Sequence, residues 1–207
     1  MEKIGVILAR LQPIHYGHLA LIEKSLQEND KTYVFVGSAD KFNTRNPLPI
    51  GLRMSLAKQA FVDKFDWNEA TGEVTVFGDS RSGVRGMTKY LHIVPLDDLT
   101  TEDDNSHDWG FYLYTKIVTE TQCSNFTIYY SDGFEIITTW FPGFVLRNNV
   151  SLNLLARGVT VDGISATKIR TAIVDGDVET LKKYVPNAVL TCVETIKNHI
   201  ELSKLIK

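Results

Sequence analysis

"LARLQPIHYGHLALIEKS", residues 8–25, joins an apolar run to an amphipathic one through a turn that holds two histidines three positions apart. The preceding residues, Ile4-Gly5-Val6-Ile7-Leu8, have the unbroken apolarity of a strand buried on both faces. From His18, apolar residues recur at Leu19, Ile22 and Leu26 with Glu23, Lys24 and Gln27 between them, which predicts an amphipathic helix. A second apolar run at residues 32–36 ends in Gly37-Ser38-Ala39. Strand, helix and strand in about 35 residues predict a right-handed βαβ unit with parallel strands.

The rest of the chain extends that unit. A polar, proline-bearing loop (40–49) precedes a helix at 50–65. Residues 73–77 suit an edge strand, 83–90 a short helix and 91–96 a third core strand, followed by the acidic loop "DDLTTEDDNSHD". A helix is predicted over 109–121, a fourth strand over 126–130 and a weaker one near 152–155. The tail is helical in pattern over 165–174, 178–184 and 188 to about 205. With no internal repeat or linker, one domain over 1–207 is expected. It would be a Rossmann-like, doubly wound parallel α/β sheet (1–163) with a signature helix and C-terminal helical appendage (164–207).

At 207 residues and 43% apolar composition the chain can bury a full core. A formal net charge of −3 argues against bulk nucleic-acid binding while leaving room for local basic pockets. Cys123 and Cys192 show neither a disulfide framework nor zinc-ligand spacing. No apolar run reaches spanning length and no signal peptide is recognisable, so a cytoplasmic protein without a membrane partner is expected.

The turn after the first strand carries the chemistry. In an open parallel sheet, ligands bind beyond the carboxyl ends of the strands, where Arg10 to His18 falls. His18 at a helix start, His15, Arg10 and a close-approach glycine, Gly17, form a phosphate site without a Walker-type loop. A metal site is disfavoured there, because no Cys, Asp or Glu lies nearby at ligand spacing. At the second strand's end, Gly37 and Ser38 admit a nucleotide, Asn46-Pro47 forms a rigid polar turn, and Arg53 on the next helix can reach phosphate. In "GISATKIR" (163–170), Ser165 can cap a helix whose first N–H groups, with Thr167, Lys168 and Arg170, offer a second anion site.

These three stretches resemble the HxGH, GSA…NP…R and ISxTxxR motifs of the HxGH nucleotidyltransferase superfamily. Within it they are most similar to nicotinamide-nucleotide adenylyltransferases of the archaeal-type and bifunctional branch. The resemblance covers roughly residues 4–189, with Ala9 and Ala166 standing where the family has Gly and a second Ser. It implies adenylyl transfer from ATP to nicotinamide mononucleotide, giving NAD and pyrophosphate. His15, His18 and Arg170 would be catalytic, with Arg10, Gly17, Gly37, Ser38, Arg53, Ser165, Thr167 and Lys168 on ATP. Asn46, Asn105, Trp109, Ser131 and Asp132 would face the mononucleotide, Asn105 being one residue farther from its Trp than the pattern has. Mg²⁺ would be held mainly by the ATP phosphates, with no protein metal site, and assembly into a homo-oligomer is expected. No Nudix box is present. Alternatives are pantetheine-phosphate adenylyltransferase, a class I aminoacyl-tRNA synthetase fragment, which lacks a KMSKS partner here, and a non-catalytic nucleotide sensor.

Overall fold

Side chains alternate between two cores along β1 (Ile4–Ala9) and β2 (Lys31–Val36). Ile4, Val6, Tyr33 and Phe35 enter one core, while Ile7, Val34 and Val36 enter the other. Burial of both faces favours near-continuous apolar runs, and the buried exception, Thr32, bonds its hydroxyl to that of Ser25 (2.8 Å). The structure, a computed structural model, describes residues 2–76, 86–101, 104–131, 135–155 and 164–206.

With β3 (Glu73–Val76), β4 (Met87–Pro95), β5 (Phe126–Ser131) and β6 (Val150–Leu155), the strands form a six-stranded sheet in the order β3-β4-β2-β1-β5-β6. All neighbours are parallel except β3, which pairs antiparallel with β4 at the edge. From β1 the chain builds outward through β2 and β4, then returns to add β5 and β6 on the other side. The crevice beyond β1 is therefore a topological switch point, where such sheets bind ligands.

One layer holds α1 (Tyr16–Glu28), α2 (Ile50–Phe65), α5 (Ala166–Asp175), α6 (Val178–Tyr184), α7 (Asn187–Leu190) and α8 (Val193–Ser203). Ile22, Phe61, Ile169, Leu181, Val189 and Ile196 from these helices share one buried cluster with the sheet. The C-terminal helices are thus part of the main core of that layer. The opposite layer holds α3 (His107–Thr121), a 3₁₀ turn (Glu135–Thr139) and α4 (Gly143–Asn148), with Trp109, Leu113, Ile117, Ile137 and Trp140 in its core. Gly110 lets α3 lie against the following segment: a Cβ there would sit 1.7 Å from the Trp140 carbonyl oxygen.

Several sequence expectations are corrected. The helix expected over 83–90 is strand where described, Met87 to Tyr90 pairing with Val76 to Glu73. Hairpin pairing and a β-branched, aromatic alternation outweigh the local helical pattern there. Residues 83–85 lie outside the described residues. The last helix is two, α7 and α8, because Thr191 turns its hydroxyl back to the Asn187 and Ala188 carbonyls and Cys192 leaves helical geometry. The 3₁₀ turn and α4 were not foreseen, and α1 begins at Tyr16, two residues earlier than expected. Among the described residues no helix is long and apolar enough to cross a membrane.

Candidate functional site

A cleft of ≈ 620 Å³ opens at the switch point and draws on both layers. Its α1-side wall starts with His15, the N-cap of α1, whose φ of −147° and ψ of 170° turn the chain out of the helix. The two histidine rings stack 3.7 Å apart at 22°. His18 Nδ1 accepts the backbone N–H of His15 (3.3 Å), a role a Glu plays in an ordinary capping box. Burial and then the neighbouring His15 hold the His18 imidazole well below its ordinary pKa of 6.5. A neutral ring whose Nδ1 accepts carries its proton on Nε2, so His18 is a fixed N–H donor at neutral pH. A Cβ on Gly17 would meet the His15 ring and the Ile164 side chain, each at 3.1 Å, so a larger residue would disturb the stacked pair.

The second anion-binding element is the start of α5. Ser165 caps it, accepting the Lys168 N–H at 3.2 Å. Arg170 donates to the Gln12 carbonyl (2.9 Å) in the loop after β1 and to Thr167 Oγ1 (3.3 Å) on its own helix. Burial, with Arg10 nearby, lowers the Arg170 guanidinium from its ordinary value. Arg10, Arg45 and Arg170 all line the cleft, which adds positive charge to the helix N–H groups that face the same space.

The segment from β4 into α3, with Trp140, adds aromatic and acidic side chains to the lining. Ser106 caps α3 by accepting the Trp109 N–H (3.1 Å), which fixes that indole at the rim. Trp109 and Trp140 meet edge to face with centroids 5.9 Å apart, and Trp140 Nε1 donates to Asn105 Oδ1 (3.0 Å). Trp109 Nε1 is buried without a hydrogen-bond partner among the described residues. Asp98 accepts from the Ser38 hydroxyl (3.1 Å) and Asp104 from Thr100 (2.7 Å).

The cleft thus brings together Arg10, His15, Gly17, His18, Gly37, Ser38, Asn105, Trp109, Ser131, Ser165, Thr167 and Arg170 from the sequence reading. Three others stand elsewhere. Arg53 is fully buried beneath the cleft floor, its guanidinium donating to the carbonyls of Arg10 (2.9 Å), Gly37 (2.8 Å) and Ser38 (2.9 Å). Burial and Arg10's charge lower it to about 10, which leaves it protonated at neutral pH. It ties the ends of β1 and β2 together instead of lining the cleft. Asn46 is buried and off the cleft wall, because Asn43 Oδ1 takes its backbone N–H (2.8 Å) and folds the turn inward. Lys168 lies over the Tyr184 ring, 4.7 Å from its centroid, and does not line the cleft. Asp132 falls outside the described residues.

Residues not singled out by sequence also line the cleft, among them Gln12, Arg45, Asp98 and Asp104. Gln12 is buried, and its amide both accepts the Leu48 N–H (2.9 Å) and donates to the Leu48 carbonyl (3.2 Å), fixing the loop before α2. A glutamine within the apolar stretch Leu11 to Ile14 was the available signal for that clamp.

The model of the cytidylyltransferase-like family matches residues 9–172. The nicotinamide-nucleotide adenylyltransferase of Thermococcus onnurineus is 25% identical over 215 residues, covering 100% of this chain and 89% of that protein. That of Haloarcula marismortui is 23% identical, covering 93% and 81%. A bifunctional NMN adenylyltransferase/ADP ribose pyrophosphatase from Francisella tularensis superposes with a TM-score of 0.57 at 19% identity, over 85% of this chain. The match spans 42% of that longer chain.

Proposed function

The chain belongs to the cytidylyltransferase-like family, and from that premise we propose that it transfers the adenylyl group of ATP to nicotinamide mononucleotide. The names of its full-length relatives support this acceptor. The observation that carries the reading is the stacked histidine pair, with the His18 donor fixed in the same cleft as Arg170 and the start of α5.

The mononucleotide's 5′-phosphate oxygen attacks the α-phosphorus of ATP in line. A new P–O–P bridge forms, and the bond to the β-phosphate breaks with its electrons leaving on pyrophosphate. A phosphate oxygen is already a competent nucleophile, so catalysis consists of positioning and charge stabilisation. His18 Nε2–H and Arg170 serve the α-phosphoryl and bridging oxygens, with His15 holding the His18 ring. Thr167 and the first N–H groups of α5 receive the β- and γ-phosphates, and Arg10 adds charge from the rim. The indoles of Trp109 and Trp140 offer a surface for the cationic pyridine ring. Mg²⁺ bound to the ATP phosphates would neutralise their charge, and Asp98 and Asp104 at the cleft accept bonds from Ser38 and Thr100.

The test is NAD formation from ATP, Mg²⁺ and nicotinamide mononucleotide, coupled to alcohol dehydrogenase, with phosphopantetheine alongside and pyrophosphate as a common readout. NAD production supports the assignment. Pyrophosphate with phosphopantetheine alone would replace the acceptor, and ATP binding without turnover of either would make the protein a nucleotide sensor.

A further inference from the structure

The last helix of the chain is tied to two parts of the cleft. α8 packs on α5, with Ile196 and Ile200 in the same buried cluster as Ile169 and Ile173. Its His199 meets the Phe42 ring edge to face, with centroids 6.1 Å apart and planes at 87°. Phe42 stands in the loop between β2 and α2 and belongs to neither buried core. His199 Nδ1 is buried without a hydrogen-bond partner among the described residues, so packing holds that side of its ring.

The two ends of the Phe42 loop are fixed separately. Arg53 donates to the Ser38 carbonyl (2.9 Å), the Ala39 N–H donates to the Leu96 carbonyl (3.0 Å), and Gln12 holds Leu48. Between them lies a tight turn. Asn43 Oδ1 accepts the N–H groups of Arg45 (3.0 Å) and Asn46 (2.8 Å), and the Asn43 N–H donates to the Asn46 carbonyl (3.2 Å). Arg45, within this turn, is exposed and lines the cleft.

The turn is costly where it stands. Asn46 is fully buried, and neither its amide nitrogen nor its amide oxygen has a partner among the described residues. A buried amide without partners favours any rearrangement that hydrates it. The Asn43 bonds are internal and would travel with the turn, so they do not fix its place. Phe42, one residue before it, ties it to α8.

We propose that Phe42 and His199 are positioning residues for ATP: their ring contact pins the turn so that Arg45 keeps its charge in the cleft. Neither ring lines the cleft, and both act through Arg45. One helix thereby supports the start of α5 through the core and Arg45 through Phe42. The inference rests on the adenylyl-transfer reading only in taking ATP as the ligand.

The experiment is calorimetric titration with Mg-ATP in the absence of an acceptor, which reads binding apart from transfer. Arg45→Gln should weaken ATP about tenfold, the scale for one charged contact to phosphate. Phe42→Ala and His199→Ala should each weaken it about threefold to fivefold, the scale for one aromatic pair. In an Arg45→Gln background the same two changes should add less than about 1.5-fold, because the group they position has lost its charge. His199→Phe keeps an edge-to-face partner and should bind ATP as the wild type does. A merely structural role would weaken ATP equally in both backgrounds, and that result overturns the proposal. So does native affinity in Arg45→Gln, or in both alanine variants. Should an alanine variant not fold, Phe42→Leu keeps apolar bulk and removes the ring; it should still weaken ATP, and native affinity there refutes the proposal. Normal ATP binding with no mononucleotide turnover would instead overturn the transfer reading alone, and a wild type that does not bind ATP overturns both.

Discussion

Arg53→Met separates a structural from a ligand-binding role for the most deeply buried cation in the described fold. Its guanidinium donates to three carbonyls, those of Arg10, Gly37 and Ser38, at 2.8–2.9 Å. Hydrogen bonds involving a charged group contribute roughly 1.5–3 kcal/mol each. Burying the cation costs several kcal/mol, which methionine would recover. The carbonyls, however, stay buried without donors, so the net loss should be about 3–5 kcal/mol, the scale for removing one partner from a buried charged arrangement. For a chain of this size that lowers Tm by about 10 °C. Arg53→Lys should recover less than half, since one ammonium cannot reproduce the fork that spans the ends of two strands. Urea unfolding followed by circular dichroism and tryptophan fluorescence gives the stability, and calorimetric titration with ATP gives the affinity of the folded fraction. A variant with native stability and abolished ATP binding would refute the reasoning and restore Arg53 to the phosphate role its sequence position suggests.

His18→Ala should lower kcat about 10²–10³-fold, the usual scale for one preorganised donor, without loss of fold; a near-native kcat in a folded variant removes His18 from the proposed chemistry. Its depressed pKa also links to stability: the contribution is complete above the free value near 6.5 and is lost as pH falls from there toward the folded value. Unfolding free energies from pH 7.5 down to 5 should decline less steeply in His18→Gln than in the wild type, and identical slopes would contradict the shift. Gly110→Ala should destabilise by about 3 kcal/mol or more, since its methyl would overlap the Trp140 carbonyl at 1.7 Å and force α3 away; an unchanged urea midpoint would show that the segment yields freely.

Much of this architecture was legible because its signals are local. The apolar runs of β1 and β2 and the period of α1 follow from burial on two faces or one. The histidines, Gly17, Ser165 and Arg170 could be placed at the cleft because switch points and helix starts are visible in a chain. Residue type alone did not reveal which cations face the cleft. Arg53 and Lys168 carry the same charge as Arg10 and Arg170, yet one lies under the floor and the other on a tyrosine ring. That choice depends on which strand-end carbonyls and aromatic faces come near, a property of packing between segments far apart in sequence. The residues 87–90 failed for the same reason, since their conformation is set by a partner strand.

The sheet edge at the cleft also separates two mechanical foundations. The histidines and α5 stand on the core shared by α1, α2 and the C-terminal helices, whereas Trp109 and Trp140 stand on the core of α3. A cavity opened under the indoles would loosen that wall while leaving the histidine stack on its own footing. Sequence drift can therefore reshape one wall of the cleft while the other keeps its geometry.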